Sequence, residues 1–285
     1  MIDLIAVLRL PFLACILMTG ILGYMGLHVL KREIIFIDIA VAQVAALGAI
    51  TAHIIFHVHG DSSLATMCAL GATLVAALFF AVVRRRIGAL PIEATIGITY
   101  ALAAAGALFM IGKSTGGHAH ILRMLTGSLL WVNVHDIGWA AFAFAFAGAC
   151  FFFFRRPFQM ISDGYEKASD DGLNVILWDF LFYALCGIVI TAAVRLAGVV
   201  VVFCFLIIPA TISALFSDKW GVRLAVTWVA GAIGSVLGLI FCHHMDFSAG
   251  VSVALFLGVL LVFVSITKRM FGRHSTGAMV IDEDA

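Results

Sequence analysis

Long apolar runs follow one another along almost the whole chain, and they restrict its fold more than any other feature. A helix that crosses a membrane needs about 20 mostly apolar residues, because the hydrocarbon layer is about 30 Å thick and each residue rises about 1.5 Å. Such runs occupy residues 4–30, 34–56, 64–83, 91–112, 135–154, 173–193, 196–216, 221–242 and 247–266. The sequence therefore predicts an all-α polytopic membrane protein with nine spans in one bundle. The number of spans is eight if one of the two runs on either side of Arg195, 173–193 and 196–216, is a short or broken helix.

Composition supports the same class. Apolar residues make up 64% of the chain and charged residues 12%, whereas a soluble domain has roughly half and one quarter. We expect residues 1–270 to form one transmembrane domain and residues 271–285 to form a polar, disordered tail. The first apolar run has no basic start and no small-residue cleavage pattern, so we interpret it as the first span rather than a signal peptide.

The basic residues predict the orientation, because lysines and arginines near the spans stay on the cytoplasmic side. An amino terminus outside and a carboxyl terminus in the cytoplasm leave only four of the 17 lysines and arginines outside, namely Arg9, Lys113, Arg123 and Arg195. The same orientation places a set of possible metal ligands outside, namely His57, His59, His118, His120, His243, His244 and Asp246.

The sequence carries no sign of an enzyme. The segment GALFMIGKS, residues 106–114, has five residues between its glycines, whereas a phosphate-binding loop requires four and follows a strand. The sequence has no H-E-x-x-H helix and no G-x-S-x-G elbow, because the letters GKSTG at residues 112–116 follow an apolar helix and not the strand that such an elbow needs. The six cysteines stand singly in apolar spans. We expect a transport subunit with no permanently bound cofactor, and any energy for transport must come from a partner or an ion gradient.

Small residues and one proline indicate how the spans pack and bend. Glycines recur every three or four residues in two spans and predict flat strips for close helix contact, namely Gly20, Gly23 and Gly26 in the first and Gly231, Gly234 and Gly238 in the eighth. Pro209 interrupts the span 196–216 by removing a backbone donor, and Thr211 and Ser213 can satisfy the carbonyls set free. Pro209 is therefore either a moving hinge or a static kink.

Four segments together resemble a known family. The run RLAGVVVVFCFLIIPATISALF, residues 195–216, resembles the signature of the zinc/manganese ABC-importer permeases, with a glycine, aliphatic residues, I-P-A and a small-residue tail. Three further segments are similar to the family in its order, namely EATIGITYALAAAGALF (93–109), ILRMLTGSLLWV (121–132) and MDFSAGVSVAL (245–255). The resemblance implies an ABC importer permease of the ZnuB/BtuC-like type in a bacterial inner membrane.

The resemblance also implies partners and a substrate. The permease is expected to be a homodimer in the lipid bilayer with the path between its subunits. A separate cytoplasmic ABC ATPase would hydrolyse ATP, and an extracytoplasmic metal-binding protein would deliver the substrate. We expect a divalent transition metal, with zinc ahead of manganese and iron, and no nucleic acid.

The longest cytoplasmic segment, FRRPFQMISDGYEKASDDGLNV at residues 154–175, is the candidate contact with the ATPase. It resembles the family's D-x-x-x-A-x-x-x-G coupling segment through Asp163, Ala168 and Gly172, with one extra residue between the aspartate and the alanine. The alternative is a solvated connector.

The second span departs from the family. Relatives carry D-x-x-x-H there, which stacks a carboxylate and an imidazole on one helix face. In FIDIAVAQVAALG the histidine position holds Gln43 and the aspartate position Ile39, while Asp38 lies one residue earlier. Asp38 and Gln43 lie about 140° apart around a helix, so they do not form the same paired site. Asp38 either lines the metal path or pairs with a basic residue such as Arg32.

The outer histidines form a second candidate region. His53 and His57 are four residues apart and share a helix face. A second group contains His243, His244 and Asp246. Adjacent residues on a helix point about 100° apart, so this group does not form a closed metal site alone. We interpret them as a diffuse, low-affinity metal entrance, and the alternative is that most are hydrogen-bonding residues at the membrane interface.

Two other functions remain open. A proton- or sodium-coupled secondary metal carrier needs acids inside the membrane to relay the ion, and Asp38, Glu93 and Asp179 are candidates for this role. An ABC permease for a metal chelate would use a similar architecture, but its path would gain little from histidines outside.

Overall fold

The computed structural model describes residues 2–57, 62–86, 91–111 and 129–276. These ranges contain helices and connecting turns, and no β-strand. The α-helices are α1 (Ile2–Lys31), α2 (Ile37–Phe56), α3 (Ser63–Arg86), α4 (Ile92–Ile111), α5 (Val134–Phe153), α6 (Arg155–Asp163), α7 (Tyr165–Asp170), α8 (Val175–Ala197), α9 (Val199–Ala214), α10 (Trp220–Met245) and α11 (Ala249–Thr276). A short 3-10 helix, Leu129–Trp131, precedes α5.

Eight helices in the described ranges are long and apolar enough to cross a membrane, namely α1 to α5, α8, α10 and α11. The predicted all-α membrane class is confirmed. The smaller of the two predicted span numbers fits, because α9 has only 16 residues. Gly198 separates α8 from α9 with a φ of 86°, a backbone conformation that glycine adopts without the steric cost of a side chain.

The helices pack as one bundle around a continuous apolar core. On one side α1, α9, α10 and α11 lie against one another, and on the other α2 packs with α3 and α4 while α8 packs with α3 and α5. Fewer contacts join the two sides. They are made by α1 with α5 and α8, and by α9 with α8 and α2. The short helices α6 and α7 lie at the end of the bundle where α1 ends and α8 begins.

The predicted glycine strips are contact surfaces between helices. A Cβ atom at Gly26 would lie 1.9 Å from the carbonyl oxygen of Leu206 in α9, and one at Gly238 would lie 2.4 Å from the Cα of Val253 in α11. The remaining strip glycines that meet a neighbour within 3 Å are Gly23, Gly231 and Gly234. A Cβ atom at Gly20 would meet nothing within 4 Å, so the first strip is shorter than the sequence predicted.

The hydroxyl groups near Pro209 bond differently from the prediction. Pro209 lacks the N–H that would reach the carbonyl of Phe205. Thr211 donates to the carbonyl of Ile207 at 2.9 Å, and Ser213 donates to that of Ala210 at 2.7 Å. Each hydroxyl thus bonds three or four residues back along its own helix, so neither one satisfies the carbonyl that the proline sets free.

The last helix is longer than the sequence analysis placed it. α11 continues to Thr276, six residues into the segment 271–285 that was predicted to be a disordered tail. No proline interrupts this stretch, and a helix does not have to end at the edge of the membrane. Residues 277–285 lie outside the described part of the chain.

Gly26→Ala should destabilise the bundle by about 1–3 kcal/mol or more, because the new methyl group would overlap a backbone oxygen of α9 that a side-chain rotation cannot move away. Thermal unfolding of the purified protein in detergent measures the change. Gly20→Ala is the matched control on the same helix, and it should leave the unfolding temperature unchanged or slightly higher, because alanine favours helix over glycine. Equal unfolding temperatures for the two variants would contradict the close approach of α1 and α9.

Candidate functional site

The segment between α5 and α8 folds into two short helices with distinct faces. In α6 the side chains of Phe158, Ile161 and Ser162 are buried, whereas those of Arg155, Arg156, Met160 and Asp163 are exposed. The chain then turns at Gly164 into α7. An amphipathic segment of this kind is anchored on one side and open to a partner on the other.

The three residues predicted for coupling build the shape of this segment. Ala168 is 1% exposed and packs with Ile161 and Val175. Gly172, with a φ of 84°, ends α7 in a Schellman motif: its N–H bonds to the carbonyl of Ser169, and the N–H of Leu173 bonds to that of Ala168. The family pattern has one residue fewer between its aspartate and its alanine. In this chain the stretch between Asp163 and Ala168 contains the turn from α6 to α7.

Asp163 anchors the end of α6 to two other helices. Its carboxylate forms an ion pair with Lys31, the last residue of α1, and accepts a hydrogen bond of 3.1 Å from the indole N–H of Trp220, the first residue of α10. The Lys31 ammonium also lies 4.1 Å from the centre of the Trp220 ring. The exposed Asp163 thus contributes to the attachment of the segment.

A buried ion pair lies directly beneath α6. Arg32, just after α1, donates to the carboxylate of Asp179 in α8 at 2.6 Å, and both side chains are 0% exposed. Its Nε donates to the hydroxyl of Ser162 at 2.8 Å, and its plane lies over the ring of Phe182. Burial lowers the pKa of the Arg32 guanidinium, and the Asp179 carboxylate opposes this shift.

A second arginine completes the cluster. Arg84, near the end of α3, lies 3.6 Å from the other carboxylate oxygen of Asp179, and it donates to the hydroxyl of Tyr183 at 3.3 Å. Asp179 is therefore enclosed by two cations from different helices. We name Arg32, Asp179, Arg84, Ser162 and His28 the buried ion network.

His28 is the aromatic member of this network. It is fully buried, and its Nδ1 lies 2.8 Å from the Ser162 hydroxyl. That hydroxyl already donates its proton to the carbonyl of Phe158 and accepts from Arg32, so the bond requires a proton on Nδ1. The rings around the imidazole are those of Tyr24, Phe151, Phe158, Phe182 and Trp220.

These contacts correct two expectations. Arg32 was the suggested partner of Asp38, but its donors are directed to Asp179 and Ser162 because those groups lie beside it in the folded chain. Asp179 was a candidate acid for ion relay, but it is held between two arginines. The network as a unit was not predicted from the sequence. The signal was present, since charges near the ends of apolar spans require partners.

Asp38 is the second carboxylate in the interior, and its environment is different. It lies in the first turn of α2 and is 1% exposed. Within the described ranges no side chain donates a hydrogen bond to either of its carboxylate oxygens or forms an ion pair with them. α2 packs there against α8 and α9, and Gln43, further along α2, is half-buried.

The outer histidines are exposed and lie at two helix ends. His53 is in the last turn of α2 and His57 caps it, while His243 and His244 are in the last turn of α10 and Asp246 caps that helix. His244 Nδ1 lies 2.9 Å from the carbonyl of Ile240 in its own helix. In the part of the chain that the structure describes, no three histidine, cysteine, aspartate or glutamate side chains are grouped so that they could hold a metal ion. His59, His118 and His120 lie outside that part.

Curated proteins and solved structures are similar to the chain. It is 24% identical over 180 residues to the manganese transport system membrane protein MntB of Synechocystis sp., covering 63% of this chain and 58% of that protein. It is 23% identical over 155 residues to the high-affinity zinc uptake system membrane protein ZnuB of Buchnera aphidicola, covering 54% and 59%. The chain thus spans about three-fifths of the length of these relatives.

A solved structure has the same fold. The structure of PsaBC from Streptococcus pneumoniae in complex with Fab matches with a TM-score of 0.76 at 20% identity, covering 93% of this chain and 95% of that chain. A family model described as the ABC 3 transport family matches residues 5–268. The match covers nearly the whole chain and confirms the resemblance found in the sequence, so the chain belongs to the ABC 3 transport family.

Proposed function

We propose that this chain is the membrane-spanning permease subunit of an ABC importer for a divalent transition metal. The observation that carries the proposal is the buried carboxylate of Asp38, which has no side-chain partner and no neutralising cation among the described residues. A carboxylate inside a membrane is costly unless it is paired or faces a wet cavity. A passing metal cation would supply the missing positive charge at this position.

The donor atoms favour one order of metals. Asp38 and Gln43, the polar side chains in the first two turns of α2, offer oxygen atoms, which suit manganese better than zinc. Imidazoles suit zinc, but the histidine of the family pattern is replaced by Gln43. We therefore propose manganese ahead of zinc and iron, whereas the family resemblance alone had suggested zinc first.

The proposed partners follow from the two ends of the bundle. The end with Lys31, Arg84 and α6 carries most of the basic residues, so we assign it to the cytoplasm and to a separate ABC ATPase. The opposite end, with His57 and His243, would receive metal from an extracytoplasmic binding protein. Two copies of the chain would enclose the path in a bacterial inner membrane, with the amino terminus outside.

The rival functions gain less support. A secondary carrier relays protons through acidic side chains. Asp179 is not free for this role, because two arginines hold its carboxylate. A permease for metal chelates would need no unpaired carboxylate for a bare cation. Uptake of free ions distinguishes that function from the proposed one.

Asp38→Asn should reduce metal uptake by about tenfold or more, since even groups that only support a metal ligand contribute 10- to 100-fold. The measurement is accumulation of manganese, zinc and iron in cells that also express the ATPase and the binding protein. Asp136→Asn is the control, because this aspartate is exposed at the start of α5. Unchanged uptake of all three metals in the Asp38 variant would refute the proposed path.

Met160→Glu should weaken the complex with the ATPase severalfold, because Met160 is an exposed apolar side chain on α6 and charged groups are unfavourable at the centre of an interface. Affinity purification followed by quantification of the bound ATPase measures the effect. Met270→Glu is the matched control, since Met270 is also exposed and lies on α11. Full recovery of the ATPase with the Met160 variant would argue against α6 as the docking helix.

A further inference from the structure

The side chain of Arg32 joins three parts of the chain that are far apart in sequence. Its Nε contacts Ser162 in α6, its terminal N–H contacts Asp179 in α8, and its backbone directly follows α1. A guanidinium is planar, so the directions of these two hydrogen bonds are fixed relative to each other. Any displacement of Ser162 therefore changes the geometry at Asp179 as well.

Stability alone does not account for such a group. A buried ion pair contributes little net stability, because removing two charges from water costs about as much as their attraction returns. Apolar contacts already hold α6 on the bundle, since Phe158 packs against Phe151, Phe182 and Trp178. The neighbouring pair of Lys31 and Asp163 is partly exposed and therefore weak. The buried ion network adds a fixed direction to the contact between α6 and the rest of the bundle.

The connection from Arg32 to α2 is short and rigid. The turn after α1 is a Schellman motif in which Glu33 has a φ of 55° and bonds to the carbonyl of Leu30, and Ile34 bonds to that of Val29. Ile34 is fully buried. α2 begins at Ile37 and carries Asp38 in its first turn, so only five residues lie between the arginine and the candidate metal-binding carboxylate.

We infer that Arg32 and Ser162 are positioning residues that transmit movement of α6 to the start of α2, and so to Asp38. The inference rests on the proposed function, because it assumes that an ATPase moves α6. Ser162 fixes α6 to the guanidinium, Asp179 and Arg84 hold the guanidinium against α8 and α3, and the tight turn passes the movement on. Without this joint, the ATPase would move α6 while Asp38 stayed in place.

The test uses the complete transporter in proteoliposomes, with ATP hydrolysis and manganese uptake measured in the same sample. Arg32→Lys keeps the positive charge but loses the planar guanidinium with its fixed hydrogen-bond directions. Ser162→Ala removes the hydroxyl group that Arg32 contacts. Both complexes should still hydrolyse ATP, while the manganese transported per ATP should fall about tenfold. A role that is only structural would lower the amount of assembled complex and leave this ratio unchanged.

Two matched controls use the same substitutions elsewhere. Arg195→Lys alters an exposed arginine that donates to Thr66, and Ser252→Ala alters a buried serine that donates to the carbonyl of Ser248, just before its own helix. Both should retain the wild-type ratio within about twofold.

The outcomes separate the two proposals. If the wild-type complex takes up no metal or binds no ATPase, the proposed function is wrong. If the wild type transports metal and both network variants keep its ratio, the inference is wrong. The inference is also wrong if neither variant assembles, since the network would then only hold the docking segment together.

Discussion

The contact between Arg32 and Asp179 is the interaction on which the arrangement of this end of the bundle depends. Each charge is fully buried, and losing Asp179 would leave the Arg32 charge uncompensated, at a cost of about 3–5 kcal/mol. The pair fixes the end of α1 against α8, while Arg84 adds α3 and Ser162 adds α6. Four helices therefore meet around this ion pair, and α6, the proposed docking helix, is attached there.

The two interior carboxylates show how the environment divides their roles. Asp179 lies between two arginines, so its charge is satisfied within the protein. Asp38 has no such partner among the described residues, although it is equally buried. The same chemical group thus serves as an anchor at one position and, in the function proposed above, as a site for an incoming cation at the other. The difference comes from the cations that the fold brings near each of them.

The sequence was sufficient for the features that depend on local pattern. Apolar runs predicted the spans, and the break at Gly198 lies near Arg195, where the sequence had suggested a short or broken helix. Contacts between distant residues could not be predicted in this way. Arg32 and Asp179 are 147 residues apart in the chain, and nothing local distinguishes Asp179 from Asp38 as the partner of Arg32. Similarly, spacing alone gave Gly20 the same role as Gly26, because it does not reveal which neighbour a helix face meets.

The contacts around Pro209 indicate where the bundle is able to move. Just before the proline, the carbonyl of Leu206 lies against Gly26 in α1, and the carbonyl of Pro209 accepts a hydrogen bond of 3.4 Å from Thr227 in α10. Bending at Pro209 would disrupt contacts on both sides, which favours a static kink over a moving hinge. α1, α9, α10 and α11 then form one unit, and α2, α3, α4 and α8 form another with fewer contacts between them. The buried ion network lies at the boundary, joining α1 to α3 and α8, so a force applied through α6 acts where the two units meet.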